Sequence, residues 1–199
     1  LHYSTDYVFS GHSNRPYREV DRPSPLGVYG ATKLAGEWAV GASGCRHIVL
    51  RTSWVYSTHG NNFVLNMLRL ARQRSELSIV SDQTGCPTWA RNLARASIST
   101  LCQALKDHSD SSRHGIFHYC DDTAVTWYDF ASMIFAQAAE QNLLHEIPRL
   151  KSIKSTEYPQ VARRPLYSVL DTAAIRLAFG IEPPVLITSL RACLEELQA

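Results

Sequence analysis

HIVLRTSWVYSTHGNNFVLNMLRLA (His47–Ala71) joins an apolar, β-branched run to a segment of helical periodicity. The run His47 to Tyr56 reads as one largely buried strand, carried by Ile48, Val49, Leu50, Trp54 and Val55. Asn61 or Asn62 is placed to cap a helix in which Phe63, Val64, Met67, Leu68 and Ala71 share one face. The same alternation runs outward in both directions. Before it stand a strand-like opening, Leu1 to Phe9, a turn-rich stretch from Ser10 to Pro25, and a helix from about Leu26 to Val40 ended by Gly41 and Gly44.

After it come a short strand at Leu77–Val80, a loop at Thr84–Thr88 and a helix over about Arg91–Leu105. Lys106–His114 reads as a surface connection and Gly115–Tyr119 as a strand. Thr126-x-x-Asp129 forms a capping box opening a helix to about Gln141. A strand near Ile147–Ile153, a basic loop at Arg163-Arg164-Pro165 and helices near Asp171–Phe179 and Leu186–Leu197 complete the chain. Strands alternating with helices predict an α/β fold, a partial doubly wound Rossmann-like parallel sheet. The rhythm becomes irregular from Gln83, so residues 1–82 are read as part of that sheet domain and 83–199 mainly as a small α/β substrate-binding lobe, with interleaved boundaries. The chain opens inside a strand-like run, which predicts that further strands precede it.

The 199 residues are 45% hydrophobic and 19% charged, with a formal net charge of +2. That is enough apolar content for a core and argues against a disordered chain. The near-balance of charge gives no basic surplus for a phosphate backbone, so no nucleic acid is expected. No apolar run approaches the ~18 residues of a membrane span, so no membrane partner is expected either. Five widely spaced cysteines without a C-x-x-C pair read as free, mostly buried thiols of a reducing, cytoplasmic compartment. His114 and His118 would share a face, but without a third ligand at a telling spacing no metal is expected.

Tyr29-Gly30-Ala31-Thr32-Lys33 carries the chemistry. Four residues apart on a helix, Tyr29 and Lys33 lie side by side. A phenol ordinarily ionises near 10, and a neighbouring ammonium stabilises the phenolate, as a proton-transferring tyrosine requires. The spacing alone also fits a tyrosine packed against a snorkelling lysine. Thr5 lies near the end of the opening strand, where an α/β sheet places functional loops, and Asp6 adds an acceptor beside it. Trp54 and Tyr56 end the next strand and should open into the same crevice, unless Trp54 is a core residue.

STDYVFSG (Ser4–Gly11), PYREVDRPSPLGVYGATKLAGE (Pro16–Glu37), LRTSWVYS (Leu50–Ser57), NFVLNMLRLA (Asn62–Ala71), DQTGCPT (Asp82–Thr88) and RPLYSVLDT (Arg164–Thr172) resemble, in order, the dTDP-4-dehydrorhamnose reductases, which are extended short-chain dehydrogenases. The resemblance implies Tyr29 as general acid to the C4 oxygen of a keto-sugar as hydride arrives from NADPH or NADH. It implies Lys33 as the residue that favours the phenolate and holds the nicotinamide ribose, and Thr5 as the group that polarises the carbonyl. Tyr3 would border the cofactor beside Tyr29 and Lys33, Thr5, Asp6 and Trp54 would contact the sugar, and Arg164 could pair with the substrate diphosphate. The reaction implied is reduction of dTDP-4-dehydro-6-deoxy-L-mannose to dTDP-L-rhamnose, a donor for lipopolysaccharide and O-antigen synthesis. A homodimer stays open.

Ser10 and Thr32 stand where aspartate and serine are common in the family. Relatives also carry a segment ahead of this start with a Gly-x-x-Gly-x-x-Gly loop that receives the dinucleotide diphosphate on a helix N-terminus. This sequence contains no such loop; Gly27-Val-Tyr-Gly30 lies inside the Tyr/Lys segment. A C-terminal portion of the family's chain is therefore expected, with most of the cofactor site elsewhere. Two alternatives remain: another nucleotide-sugar epimerase or dehydratase, though these typically show Ser-Ser where Thr5-Asp6 stands, and a non-catalytic regulatory subunit such as that of methionine adenosyltransferase.

Overall fold

The computed structural model describes residues 1–106, 110–159 and 162–198. In chain order its strands are β1 (His2–Thr5), β2 (Ile48–Thr52), β3 (Val55–Tyr56), β4 (Glu76–Val80), β5 (Thr84–Gly85), β6 (Thr88–Trp89), β7 (Gly115–His118), β8 (Val125–Thr126) and β9 (Arg149–Ile153). The helices are α1 (Val28–Ala42), α2 (Phe63–Ala71), α3 (Ala90–Lys106), α4 (Trp127–Glu140), α5 (Ala173–Phe179) and α6 (Leu186–Glu196).

All five residues of β2 are buried, as a strand covered on both faces requires. It pairs in parallel with β1 on one edge and β7 on the other. Alternate side chains sort to opposite faces. Ile48 and Leu50, with Phe117 of β7, pack against Leu93 and Ala96 of α3 and Ile175 and Phe179 of α5. On the other face Arg51 meets α1. Its Nε donates to Glu37 Oε1 (2.9 Å) and its Nη2 to Oε2 (2.6 Å), while Ser4 of β1 also donates to Oε1. Both partners are almost wholly buried, so this bidentate pair fixes α1 to the sheet in a low-dielectric setting where each charge needs the other.

A second core holds α2, α4 and α6. Val64, Met67 and Leu68 of α2 meet Phe130, Ile134 and Phe135 of α4 and Leu186, Leu190 and Leu194 of α6. Leu77 and Ile79 of β4 cover one side, and β4 pairs in parallel with β9 in a sheet of its own. The capping box at α4 is present, Thr126 accepting from the Asp129 N–H while the Asp129 carboxylate accepts from Thr126.

Several boundaries differ from the sequence reading. The opening strand ends at Thr5, because its hydroxyl accepts from the Tyr7 N–H (3.2 Å) and starts a 3-10 turn over Asp6–Val8. The strand expected over His47–Tyr56 breaks after Thr52. Ser53 donates to the Cys86 carbonyl (2.5 Å), Trp54 turns into the left-handed region at φ 46°, and the chain resumes as β3 against β6. The loop expected at Thr84–Thr88 contains β5 and the first residue of β6, strands of two residues each and therefore without a readable periodicity. The first helix starts at Val28 and continues through Gly41 to Ala42, because the Ser43 hydroxyl and N–H satisfy carbonyls one turn back. The connection after α3 carries a 3-10 turn at Ser111–Arg113, and its residues 107–109 lie outside the described residues.

All five cysteines are free; Cys86, Cys120 and Cys193 are buried, and Cys45 and Cys102 are exposed. His118 is fully buried with its Nδ1 3.0 Å from the Tyr17 carbonyl, and burial beside Arg51 lowers its pKa to about 3, so it is neutral. Among the described residues no group of three or more His, Cys, Asp or Glu could hold a metal ion, and no helix is long and apolar enough to cross a membrane.

Candidate active site

The C-terminal ends of β1 and β2 open into a cavity of about 280 Å³ lined by Ser4, Thr5, Asp6, Tyr7, Tyr29, Thr52, Ser53, Trp54, Val55, Trp127 and Arg164. That is where an open α/β sheet binds ligands. Of the residues singled out from sequence, it brings together Thr5, Asp6, Tyr29, Trp54 and Arg164. Tyr3, Lys33 and Tyr56 lie outside this lining; contrary to the expectation that Tyr56 opens into the crevice, β3 turns it into the second core, where its ring meets Phe130 at 5.6 Å. Tyr3 shares a face of β1 with Thr5 but lies two residues back along the strand, where its hydroxyl donates to Ser97 of α3 (2.8 Å). Lys33 sits one turn beyond Tyr29 on α1, half-buried, and its charge reaches His2 of β1.

Thr5 and Asp6 form the floor. The Thr5 hydroxyl donates to Asp6 Oδ1 (3.0 Å). Asp6 is 2% exposed and its Oδ2 has no hydrogen bond of standard geometry. Burial is the dominant influence and pushes the Asp6 carboxyl up to about 7, against the lowering effect of the Ser168 and Thr5 hydroxyls. An acceptor oxygen held dry at the foot of a cavity, with no hydrogen bond of standard geometry, is a place for a ligand hydroxyl.

Two tyrosines stand at the wall, and their settings differ. Tyr7 lies within the capped turn, and burial beside Asp6 pushes its phenol up to about 12, so it stays protonated and weakly acidic. Tyr29 comes from the first turn of α1, is 58% exposed, and meets the Tyr7 ring edge-on at 6.0 Å. The helix can come this close because position 30 is glycine. A Cβ there would fall well inside 3.0 Å of the Tyr7 carbonyl oxygen and at 2.9 Å from Pro25 Cβ. Gly30 therefore sets the distance between the Tyr29 helix and the Thr5–Asp6 turn.

Trp54 forms the opposite wall. Its ring is stacked on Trp127 at 3.4 Å and 5°. Trp127 is the first residue of α4, and no spacing ties position 127 to position 54, so sequence reasoning does not reach it. The only signal is an aromatic at the start of a strongly capped helix. Tyr7 likewise has the pattern of a strand residue, although its place beside Asp6 follows once the Thr5 cap is recognised.

Sheet, crossover helices and cavity together are those of the Rossmann-like short-chain dehydrogenase class. Within it the chain belongs to the RmlD substrate binding domain family, whose model matches residues 1–199. It is 40% identical over 197 residues to the dTDP-4-dehydrorhamnose reductase of Escherichia coli strain K12, covering 99% of this chain and 65% of that one. Its structure resembles a dTDP-4-dehydrorhamnose reductase of Clostridium acetobutylicum with a TM-score of 0.89 and 34% identity, over 100% of this chain and 65% of that one. A dTDP-4-dehydrorhamnose reductase of Bacillus anthracis, solved in complex with NADP, matches with a TM-score of 0.86 and 33% identity over 98% of this chain and 64% of that one. The chain thus spans a little under two thirds of the length of these relatives.

Proposed function

We propose that this chain forms the sugar-binding and proton-transferring part of a dTDP-4-dehydrorhamnose reductase. The observation that carries the reading is one cavity holding Tyr29, Thr5, Asp6, Trp54 and Arg164, in a chain 40% identical to such a reductase. Tyr29 is the proton donor, because of the two tyrosines that line the cavity it is the exposed one, whereas burial makes Tyr7 the weaker acid. As the C4 carbonyl of the keto-sugar becomes an alcohol, the carbon takes a hydride and the oxygen takes the Tyr29 proton. Lys33, one helical turn on, favours the phenolate left behind. On binding, the Thr5 hydroxyl turns its one proton from Asp6 Oδ1 to the carbonyl, Asp6 Oδ2 accepts a sugar hydroxyl, and Trp54 covers the apolar face of the ring. Arg164, exposed on its loop at the cavity edge, meets the diphosphate.

A nicotinamide dinucleotide, NADPH or NADH, supplies the hydride when bound. The residues present fit its nicotinamide-ribose end, since exposed Tyr29 and half-buried Lys33 lie one turn apart near the start of α1, which packs on β1. Tyr3, two residues back along that strand, borders the cofactor. No glycine-rich diphosphate loop lies within the 199 residues. Soluble sugar nucleotides and NADPH make the cytoplasm the compartment for this activity.

The test is NADPH oxidation with dTDP-4-dehydro-6-deoxy-L-mannose by this chain, alone and joined to the third of the Escherichia coli relative that it does not cover. Turnover by the joined protein, with dTDP-L-rhamnose as product, supports the reading. A joined protein that folds, binds NADPH and leaves the keto-sugar unreduced overturns it.

A further inference from the structure

Trp54 is held in a way that its own segment does not explain. Its backbone sits at φ 46°, a conformation uncommon for a bulky side chain. Held strain of this kind is frequent at ligand sites. The ring is fixed from two sides by residues distant in sequence. Trp127 stacks on one face. Gly85 lies over the ring so closely that a Cβ there would stand 2.5 Å from Cε2, 2.7 Å from Nε1 and 2.8 Å from Cζ2. Trp127 is anchored in turn. Its Nε1 donates to Gln83 Oε1 (3.2 Å), and Gln83 is 3% exposed; its other neighbour is the Phe63 ring at 4.6 Å. The two contacts share one support, because β5 and β8 pair antiparallel with Gly85 opposite Val125 and Thr84 opposite Thr126. That two-rung ladder sets Gly85 and the start of α4 at a fixed separation, with room between them for one indole.

We propose that Gly85 and Trp127 are positioning residues for substrate binding: together they clamp the Trp54 indole as a rigid wall against which the keto-sugar ring seats. The proposal rests on the reductase reading for the identity of the ligand and on the clamp geometry for everything else. A wall of this kind contributes through pre-organisation. It lowers the concentration of substrate needed and leaves the proton transfer at Tyr29 untouched.

Two readouts separate the clamp from general stability and from the choice of substrate. The first needs no ligand: indoles stacked at 3.4 Å couple, giving an exciton couplet in the far-ultraviolet circular dichroism. Wild type shows the couplet. Trp54→Phe and Trp127→Phe each abolish it, and Gly85→Ala diminishes it although both indoles remain. The second is steady-state reduction by the joined protein, with the dissociation constant of dTDP-L-rhamnose measured alongside. Trp127→Ala and Gly85→Ala each raise KM and that constant about tenfold, with kcat within about twofold, a tenfold change being about 1.4 kcal/mol. Trp127→Phe restores KM to within about threefold, because a phenyl ring still backs the indole while contributing no couplet.

The clamp is overturned if Gly85→Ala keeps the wild-type KM and far-ultraviolet spectrum, or if Trp127→Phe is as impaired in KM as Trp127→Ala. Should Trp127→Ala fail to fold, Gly85→Ala and Trp127→Phe decide alone. A wild type that shows the couplet yet neither binds nor reduces the dTDP-sugar overturns the reductase reading and the sugar seat together, while the couplet identifies the functional reading as the part that failed.

Discussion

Gly30→Ala adds one methyl group to α1 at the point where the helix crosses the Thr5–Asp6–Tyr7 turn. The new Cβ would lie well inside the 3.0 Å below which real Cβ atoms essentially never come, against the backbone oxygen of Tyr7, with Pro25 Cβ at 2.9 Å on its other side. Neither obstacle is the end of a flexible side chain, so the helix must withdraw by on the order of 1 Å, and a misplacement of that size can lower a rate about 100-fold. Tyr29 is the adjacent residue and moves with it. The helix gains up to about 1 kcal/mol of propensity from glycine to alanine. Overpacking against the turn opposes this by about 1–3 kcal/mol, so stability changes little or falls slightly. Gly41→Ala, on the same helix with nothing within 4 Å of the new Cβ, is the control. The assay is keto-sugar reduction by the joined protein, with thermal unfolding of both variants. Gly30→Ala is expected to reduce kcat about 100-fold, while Gly41→Ala keeps kcat and is slightly more stable. Wild-type kcat in Gly30→Ala would refute the claim that the spacing between α1 and the Asp6 turn places the proton donor.

Glu37→Ala leaves Arg51 buried without its counter-charge, and is expected to lower unfolding free energy by about 3–5 kcal/mol in urea titrations. Replacing both partners by leucine is expected to be much milder, and equal losses in the two would contradict the account of the pair. Asp121 is fully buried, both carboxylate oxygens lack hydrogen bonds of standard geometry, and burial pushes its pKa from 3.8 up to about 7. In the unfolded chain this carboxyl loses its proton near pH 4, whereas the folded protein holds it to about pH 7. Its stabilising effect is complete below pH 4 and is lost as pH rises from 4 through 7. Asp121→Asn therefore gains stability relative to wild type with rising pH, by a few kcal/mol in all, since each tenfold change in proton affinity is worth about 1.4 kcal/mol. Asp6 titrates in the same window and leaves a residual slope that the Asp6→Asn/Asp121→Asn double variant removes. A difference between Asp121→Asn and wild type that does not vary with pH would refute the assignment.

The fold was legible wherever periodicity is long. α2, α3 and α4 lie within a residue or two of their sequence reading, and the all-buried run of β2 already marks a central parallel strand. What escaped is local bonding that competes with propensity. Tyr7-Val8-Phe9 has strand composition, but the Thr5 hydroxyl caps the chain into a 3-10 turn. Trp54 and Val55 look like a continuation of β2, but Ser53 is tied to the Cys86 carbonyl and the chain leaves the sheet. In the site, the Tyr29–Lys33 spacing and the position of Thr5 and Asp6 at a strand end could be read from one segment. The Trp127–Trp54 stack could not, because its two residues meet only through the two-rung ladder of β5 and β8, which carries no pattern of its own.

The most direct test of the reductase reading is Tyr29→Phe in the joined protein, beside Tyr7→Phe. Tyr29→Phe removes one oxygen atom from an exposed side chain and keeps the ring that meets Tyr7. General acid catalysis contributes about 10²–10⁴ in rate. Tyr29→Phe is expected to lose at least 100-fold in keto-sugar reduction with dTDP-L-rhamnose binding nearly unchanged, and Tyr7→Phe to keep most of its turnover. Near-normal turnover in Tyr29→Phe, or the larger loss in Tyr7→Phe, would contradict it.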